Sequence, residues 1–302
     1  MKMPEILKFE GHEGVGKGTG PNVTIFGANH GNEICGPLAI TKVVKLIEAG
    51  KIKLTRGLLT LVPVCNPLAY DQNRRFVDVN LNRHFYPKYN PQNYEEHIHN
   101  VLCPILEKTD YFMDIHSYRS TGGPFVVLAS LEHVPNEIGL ARQLGIPDIV
   151  TGWADALKKN EDIEDPRRSW GASDYVRNTG GCGTLIECGN HHDTKAPNVA
   201  FNAILHFLRG SGIAQFSDDL FINGQYIKKP KEIELKGAFL KLKPGEFVQD
   251  WTIIHPVEKG MTIAHYDDGE EIVMPEDGYI VLPKADVEIG GEWTWWGVET
   301  DL

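Results

Sequence analysis

Residues 27–33 read Gly27-Ala28-Asn29-His30-Gly31-Asn32-Glu33, and they directly follow the apolar run Val23-Thr24-Ile25-Phe26. This pattern predicts that a buried strand ends here and that polar side chains project from its end. His30 and Glu33 stand three residues apart on a turn loosened by glycine. An imidazole nitrogen and a carboxylate oxygen could therefore converge on one cation such as zinc. Two ligands do not make a metal site, and a histidine at a strand end is more often a solvated loop residue.

A third ligand is predicted at His116, which closes the apolar run Tyr111-Phe112-Met113-Asp114-Ile115. Asp114 could accept a hydrogen bond from its imidazole. Two histidines and one carboxylate leave the fourth tetrahedral position of zinc open for water, the arrangement of hydrolytic rather than structural zinc sites. The sequence therefore predicts one zinc ion per chain, held by His30, Glu33 and His116.

Strand-like and helix-like patterns alternate through the first two-thirds of the chain. Apolar residues at helical spacing predict a helix over 40–47, and nearly unbroken apolar runs at 58–64 and 183–186 predict buried strands. This alternation predicts a three-layer α/β/α fold, with helices on both faces of a largely parallel mixed sheet. Such sheets place their sites beyond the carboxyl ends of strands. The polar residues that follow predicted strands are His30, Asn66, His116 and Glu187.

The pattern changes from about residue 210 to short apolar runs separated by turn sequences such as Pro244-Gly245 and Asp277-Gly278. Runs of this kind predict a smaller C-terminal β-rich domain. We therefore predict two domains, over residues 1–210 and 211–302. Trp293, Trp295 and Trp296 could line a substrate entrance or a subunit contact, although packing in the core is the simpler explanation.

Composition and charge exclude several kinds of partner. The 302 residues include 41 acidic and 30 basic side chains, which gives a formal net charge of −11. Binding to nucleic acid or to anionic membranes needs a basic face, so neither partner is predicted. The five cysteines form no CxxC pair and no apolar run approaches ~18 residues, which favours a cytoplasmic protein. The sequence leaves open whether the protein forms a homo-oligomer.

Residues 11–17 have the GxxxxGK spacing of a phosphate-binding loop. Gly18 stands where that motif requires Ser or Thr, and a strand rather than a helix is predicted to follow. We interpret the stretch as a flexible loop.

The order of these motifs resembles the succinylglutamate desuccinylase/aspartoacylase family, a branch of the zinc carboxypeptidase-like enzymes. The matching stretches are His30 with Gly31-Asn32-Glu33, Asn66-Pro67, Arg75, Asn82-Arg83, His116, and Glu187 within Thr184-Leu185-Ile186-Glu187-Cys188-Gly189. The resemblance implies a zinc carboxypeptidase-like catalytic domain that contains the three predicted metal ligands.

The resemblance also implies roles for other residues. Glu187 would act as general base, and Arg75 would stabilise the oxyanion, with Arg74 beside it leaving the register ambiguous. Asn82 and Arg83 would hold the substrate carboxylate. Arg177 would bind a carboxylate on the acyl chain. We call Asn82 and Arg83 the carboxylate clamp. The family commonly has Asp at the position of Asn80, so this chain departs from the clamp pattern there, with Asp78 as a possible substitute.

These expectations together predict a zinc-dependent hydrolase that cleaves the amide bond of a small, carboxylate-bearing N-acyl amino acid. A carboxypeptidase that acts on peptide C-termini could use the same zinc and the same clamp. A non-catalytic zinc-binding relative is a third possibility, and it predicts damage to the base or to the oxyanion cation. The sequence shows no such damage at Glu187 or Arg75.

Overall fold

The computed structural model describes residues 1–11, 20–129, 131–132, 134–158, 167, 169–223 and 229–302. Its helices are α1 (Cys35–Glu48), α2 (Pro67–Asp71), α3 (Tyr94–Leu106), α4 (Val134–Ala141), α5 (Trp153–Lys158), α6 (Ala172–Asn178) and α7 (Ala196–Gly210). The strands of the first part of the chain are β1 (Leu7–Glu10), β2 (Asn22–Gly27), β3 (Lys53–Leu54), β4 (Leu58–Val62), β5 (Tyr111–Tyr118), β6 (Phe125–Leu128), β7 (Asp148–Thr151), β8 (Cys182–Asn190) and β9 (Ala214–Gln215). The later strands are β10 (Lys231–Leu240), β11 (Gly245–Phe247), β12 (Ile254–Val257), β13 (Thr262–Tyr266), β14 (Glu271–Val273), β15 (Gly278–Val281) and β16 (Glu292–Glu299).

One sheet of 11 strands runs through the described structure in the order β1-β4-β2-β5-β8-β6-β7-β10-β16-β15-β12. Strands β4, β2, β5 and β8 are parallel neighbours, and so are β6, β7 and β10. Strand β6 lies antiparallel to β8, and β1 lies antiparallel to β4 at the edge. The predicted largely parallel mixed sheet is confirmed.

Helices cover both faces of this sheet. On one face, α1 and α7 bury Ile40, Val43 and Ile204 against the strands. On the other face, Ile98 of α3 and Val176 of α6 pack against Phe112 of β5. The predicted three-layer α/β/α arrangement is therefore confirmed. The buried residues of α1 and α3 recur at helical spacing because each helix turns one apolar face to the sheet.

Two strands extend further than the sequence predicts. His116 lies within β5 and Glu187 within β8, rather than beyond their ends. The prediction placed the strand ends where polar residues interrupt the apolar runs. Backbone pairing between β5 and β8 continues past those residues, and it sets His116 directly opposite Glu187.

The C-terminal part is rich in β structure, as predicted. Strands β10, β16, β15 and β12 extend the main sheet, because β10 pairs in parallel with β7. Strands β11, β13 and β14 form a separate sheet. The division of the chain at residue 210 stays a prediction.

The three C-terminal tryptophans differ in their surroundings. Trp293 is buried between Phe247 and Tyr266, so core packing explains it. Trp295 contacts Trp153 with ring centroids 5.2 Å apart and lines the large cavity described below. In the described part of the chain, no helix is both long and apolar enough to cross a membrane. Most of the glycine-rich stretch considered as a phosphate loop, residues 12–19, lies outside the described residues.

Candidate active site

Three buried side chains converge at the carboxyl end of β2. The imidazole Nδ1 of His30 lies 2.7 Å from Glu33 Oε1, and Nδ1 of His116 lies 2.9 Å from Glu33 Oε2. One ligand atom from each of the three residues lies within 4.8 Å of the other two. The structure thus brings together the three residues that the sequence predicts as metal ligands, and two nitrogens and a carboxylate are donors that suit zinc.

The turn after β2 brings His30 and Glu33 together. The Glu33 amide donates to the carbonyl of His30 at 3.1 Å, and the Gly31 amide donates to the carbonyl of Arg75 at 3.2 Å. A Cβ at Gly31 would lie 2.2 Å from the backbone carbonyl carbon of Ala69 in α2. Glycine is required here because the turn passes against the backbone of that helix.

The outward nitrogens of both histidines are fixed by other side chains. Nε2 of His30 lies 3.0 Å from Asn80 Oδ1, and Nε2 of His116 lies 2.9 Å from Asp114 Oδ2. Asp114 also accepts two hydrogen bonds from Asn29 Nδ2, at 3.0 and 2.8 Å. Because each Nε2 faces an acceptor, each ring turns its Nδ1 toward the shared carboxylate. The acceptor role predicted for Asp114 is confirmed.

Burial and neighbouring charges shift the pKa values of the three residues in different directions. Burial lowers the pKa of His30, which favours the neutral imidazole that binds metals. Burial opposes ionisation of Glu33, but the adjacent imidazoles of His30 and His116 hold its pKa well below its ordinary value. Burial also opposes protonation of His116, but Asp114 and Glu33 raise its pKa well above the usual range.

Glu187 faces this cluster from the neighbouring strand. Its position in β8 is paired with His116 in β5. The buried Oε2 of Glu187 has no hydrogen-bond partner within the described residues. Burial raises the pKa of Glu187 to about 8, with a further contribution from the negative charge of Glu33. A carboxyl group with such a pKa and a free oxygen can both accept and donate a proton near neutral pH.

Arg75 is the arginine that points at the cluster. Its Nη1 lies 3.4 Å from Glu33 Oε1, and 44% of its side chain is exposed. Arg74 instead contacts Gln72, on the surface. Of the two arginines, Arg75 is therefore the one beside the cluster, and its role in stabilising an oxyanion stays a prediction.

Asn82 and Arg83 lie on the segment that follows Arg75, and Asn82 lies beside His116, one of the predicted metal ligands. Asn82 Nδ2 lies 3.3 Å from His116 Nε2, and its Oδ1 accepts a hydrogen bond from the Ala172 amide at 2.8 Å. Arg83 Nη1 donates to the Asn82 carbonyl at 2.8 Å. The Arg83 side chain is exposed to the cavity yet surrounded by protein, and this partial desolvation, with repulsion from Arg75, lowers its pKa.

Sequence reasoning missed the residue that holds this segment in place. Glu95 is fully buried at the start of α3, and it accepts hydrogen bonds from the amides of Val77, Asp78 and Val79 at 2.7–3.2 Å. Its Oε1 also accepts from Asn66 Nδ2 at 2.9 Å. An acidic residue in the first turn of a helix is ordinary, so its sequence position gave no signal of this role.

Asp78 does not lie where a substitute for the clamp would be needed. Its Oδ2 accepts a hydrogen bond from the Tyr94 amide at 3.0 Å and so binds the N-terminus of α3. Asn80, at the position that departs from the family pattern, contacts His30 instead and also accepts from the Asn82 amide at 3.0 Å.

Arg177 lines the same cavity but is held by internal partners. Its Nε donates to Glu137 Oε1 at 2.8 Å, and its Nη1 donates to Asp174 Oδ1 at 3.2 Å. Its Nη2 donates to the Gly183 carbonyl, and only 2% of the side chain is exposed. Its assignment to substrate stays a prediction.

A cavity of about 2090 Å³ opens above the cluster, and both parts of the chain line it. The first part contributes the predicted metal ligands, Glu187, and the apolar Val127 and Leu185. The C-terminal part contributes Trp251, Lys284 and Trp295. A molecule bound near the cluster would therefore contact residues of the C-terminal strands and their loops.

Comparisons with known proteins agree with this architecture. Residues 19–150 match the model of the succinylglutamate desuccinylase/aspartoacylase catalytic domain. No curated protein matches the chain in sequence.

Several solved structures share the fold at low sequence identity. A succinylglutamate desuccinylase/aspartoacylase from Rhodobacter sphaeroides has a TM-score of 0.72 at 18% identity, over 94% of this chain and 87% of that chain. The succinylglutamate desuccinylase from Vibrio parahaemolyticus also has a TM-score of 0.72 at 18% identity, over 98% of this chain and 86% of that chain. The product-bound ectoine utilization protein EutE (DoeB) from Ruegeria pomeroyi has a TM-score of 0.72 at 19% identity, over 99% and 96%. The resemblance predicted from the sequence is therefore confirmed: residues 19–150 match the catalytic-domain model of the succinylglutamate desuccinylase/aspartoacylase family, and the solved structures share the fold.

Proposed function

We propose that the protein is a zinc-dependent hydrolase that cleaves the amide bond of a small N-acyl amino acid bearing a carboxylate. The proposal rests on the set of buried donors at His30, Glu33 and His116 with Glu187 opposite, whose buried Oε2 has no partner among the described residues. A structural zinc site would need a fourth protein ligand, whereas three candidate ligands converge here among the described residues. This arrangement supports hydrolysis rather than a purely structural metal.

The donor set fits one zinc ion. Two imidazole nitrogens and a carboxylate that stays ionised are borderline and hard ligands, which zinc accepts together. The hydrogen bonds that Asn80 Oδ1 and Asp114 Oδ2 accept from the two Nε2 atoms fix the ring orientations that this set requires. When bound here, zinc would supply a Lewis acid that makes water nucleophilic near neutral pH.

Residues of the chain would handle the protons and charges of the reaction. Glu187 would accept the proton of the attacking water and deliver it to the leaving amine nitrogen. Arg75 would place positive charge near the carbonyl oxygen as negative charge develops there, a contribution on the order of 10²–10³ in rate. Asn82 and Arg83 would hold the substrate carboxylate and so orient the scissile amide.

Glu187→Gln tests the general base. Glutamine keeps the shape of the side chain and cannot take the proton, so turnover should fall by a factor on the order of 10²–10⁴. Zinc content, measured by elemental analysis, should stay near one ion per chain. The matched control is Glu48→Gln, since Glu48 is exposed at the end of α1. Full activity in Glu187→Gln would refute the role given to this residue.

The substrate panel should contain N-formyl, N-acetyl and N-succinyl amino acids beside a peptide library. Release of free amino acids from the small amides supports the proposal. Preferential release of C-terminal residues from peptides would favour a carboxypeptidase that uses the same site. Zinc binding without turnover of any member would favour a non-catalytic relative.

A further inference from the structure

The cavity contains two arginines that could each bind a carboxylate, but their surroundings differ. Arg83 is exposed to the cavity, and its Nη1 donates a hydrogen bond to the backbone carbonyl of Asn82. Arg177 is buried, and two carboxylates, Glu137 and Asp174, contact its guanidinium. One positive charge is therefore matched by two negative charges at this place, before any substrate arrives.

The partners of Arg177 leave little capacity for an incoming anion. Its Nε, Nη1 and Nη2 each already donate a hydrogen bond, the last to the Gly183 carbonyl. Glu137 Oε1 also accepts from the Gly183 amide at 2.7 Å, and its buried Oε2 has no partner among the described residues. A second substrate carboxylate brought here would meet uncompensated negative charge.

The other cations that line the cavity do not replace Arg177. Lys284 is paired with Glu292 at 3.0 Å. Arg119 is exposed to solvent, where water screens its charge. Arg75 points at Glu33 and belongs to the proposed reaction centre.

Apolar and neutral groups form the wall between Glu187 and Arg177. Leu185 lies two residues before Glu187 on β8, and it is paired across the sheet with Val127 of β6. Both side chains line the cavity. Ser173 also lines it, with a buried hydroxyl that has no partner within the described residues. This wall suits an apolar or neutral hydrogen-bonding group.

We infer that the substrate carries a single carboxylate, the one held at Arg83, and that neither its acyl group nor its side chain carries a second. This inference rests on the proposed function of the same site. Glu137 and Asp174 then act as specificity-determining residues, because they neutralise the arginine that would otherwise bind a doubly anionic substrate.

The test compares amides that differ only in the second carboxylate. N-acetyl-asparagine and N-acetyl-aspartate are one pair, and an N-succinyl amino acid with its terminal succinamide analogue is another. In each pair the member without the second carboxylate should have a kcat/KM at least about tenfold higher. Like charges held close together disfavour binding of the doubly anionic member. Equal values, or a preference for the doubly anionic member, would overturn the inference and leave the hydrolase proposal standing.

Asp174→Asn provides a gain-of-function test. Asp174 is the more exposed partner, with 28% of its side chain accessible, and asparagine can still accept the hydrogen bond from the Gly171 amide. The variant should raise kcat/KM for the doubly anionic member several-fold relative to its partner. Loss of a merely structural contact would change both members alike. Asp219→Asn, which removes an exposed charge outside the cavity lining, is the control.

Binding separates the two proposals if no amide is cleaved. Calorimetric titration of the zinc-loaded protein with N-acetyl-asparagine and N-acetyl-aspartate should still show tighter binding of the former. That result with no turnover would refute the hydrolase and support the single-carboxylate site. Binding of neither ligand would overturn the inference.

Discussion

Replacement of Glu95 by glutamine should destabilise the protein through the segment that carries the proposed clamp. Both carboxylate oxygens of Glu95 are in use: Oε1 accepts from Val77 and Asn66, and Oε2 accepts from Asp78 and Val79. Glutamine keeps one oxygen, but its NH₂ group would face groups that are themselves hydrogen-bond donors. At least two hydrogen bonds to a charged group should therefore be lost.

The magnitude follows from the number of bonds and their environment. A hydrogen bond to a charged group contributes about 1.5–3 kcal/mol, so two of them contribute about 3–6 kcal/mol. The freed amides of this segment are only partly buried, and water can recover some of the loss. We expect the free energy of unfolding to fall by about 3 kcal/mol, which corresponds to a decrease in Tm of roughly 6–12 °C for a large domain.

The same substitution should also weaken zinc binding. The segment held by Glu95 continues to Asn80, which contacts His30, and to Asn82, which lies beside His116. Disorder of this segment removes the acceptor that orients the His30 ring, an effect of about 10–100-fold in metal affinity.

Urea unfolding of the metal-free protein and zinc titration against a chromophoric chelator measure the two effects separately. Glu48→Gln, at an exposed helix end, is the matched control and should change neither quantity. A Glu95→Gln variant within about 0.5 kcal/mol of the parent, with unchanged zinc affinity, would refute the reasoning.

Further predictions concern the turn, the histidine partners and the pH dependence. Gly31→Ala should destabilise the protein by more than about 2 kcal/mol, because the new Cβ lies 2.2 Å from the Ala69 backbone; wild-type thermal stability would contradict this. Asn80→Ala and Asp114→Asn should each weaken zinc binding by about 10–100-fold in chelator competition, and unchanged affinity would show that the histidines need no such support. Burial lowers the pKa of His99 to about 4, so the native state binds fewer protons than the unfolded state between pH 6.5 and 4. Stability should therefore decrease by about 3 kcal/mol as the pH falls through this range, and in urea titrations His99→Gln should reduce that decrease; the same slope in the variant would exclude His99 as its source.

Local patterns in the sequence were sufficient to predict which residues form much of the cluster. The spacing of His30 and Glu33 beside glycine and the run that ends at His116 are short-range features, and each places its side chain at a strand end or within a strand. Alternating apolar segments were likewise enough for the layered α/β fold. These predictions succeeded because periodicity and turn chemistry act over a few residues.

The features that the sequence did not reveal depend on contacts between distant segments. Glu137 neutralises Arg177 from 40 residues away, and Glu95 holds backbone amides from 16 to 18 residues away. Neither carboxylate has a distinctive neighbour in the sequence. Their roles follow from burial, which forces a charged group to find partners wherever the fold brings them.

Asn80 stands where the family pattern commonly has Asp, and its neutral side chain affects the charge balance of the proposed reaction centre. His116 faces the carboxylate of Asp114, whereas His30 faces the neutral amide of Asn80. With a divalent cation bound, Glu33 and Asp114 would match its two positive charges, and Arg75 would match an ionised Glu187. A carboxylate at position 80 would add an uncompensated negative charge to the centre at which the reaction must build another on the carbonyl oxygen. A neutral partner for His30 therefore orients the ring without opposing that charge.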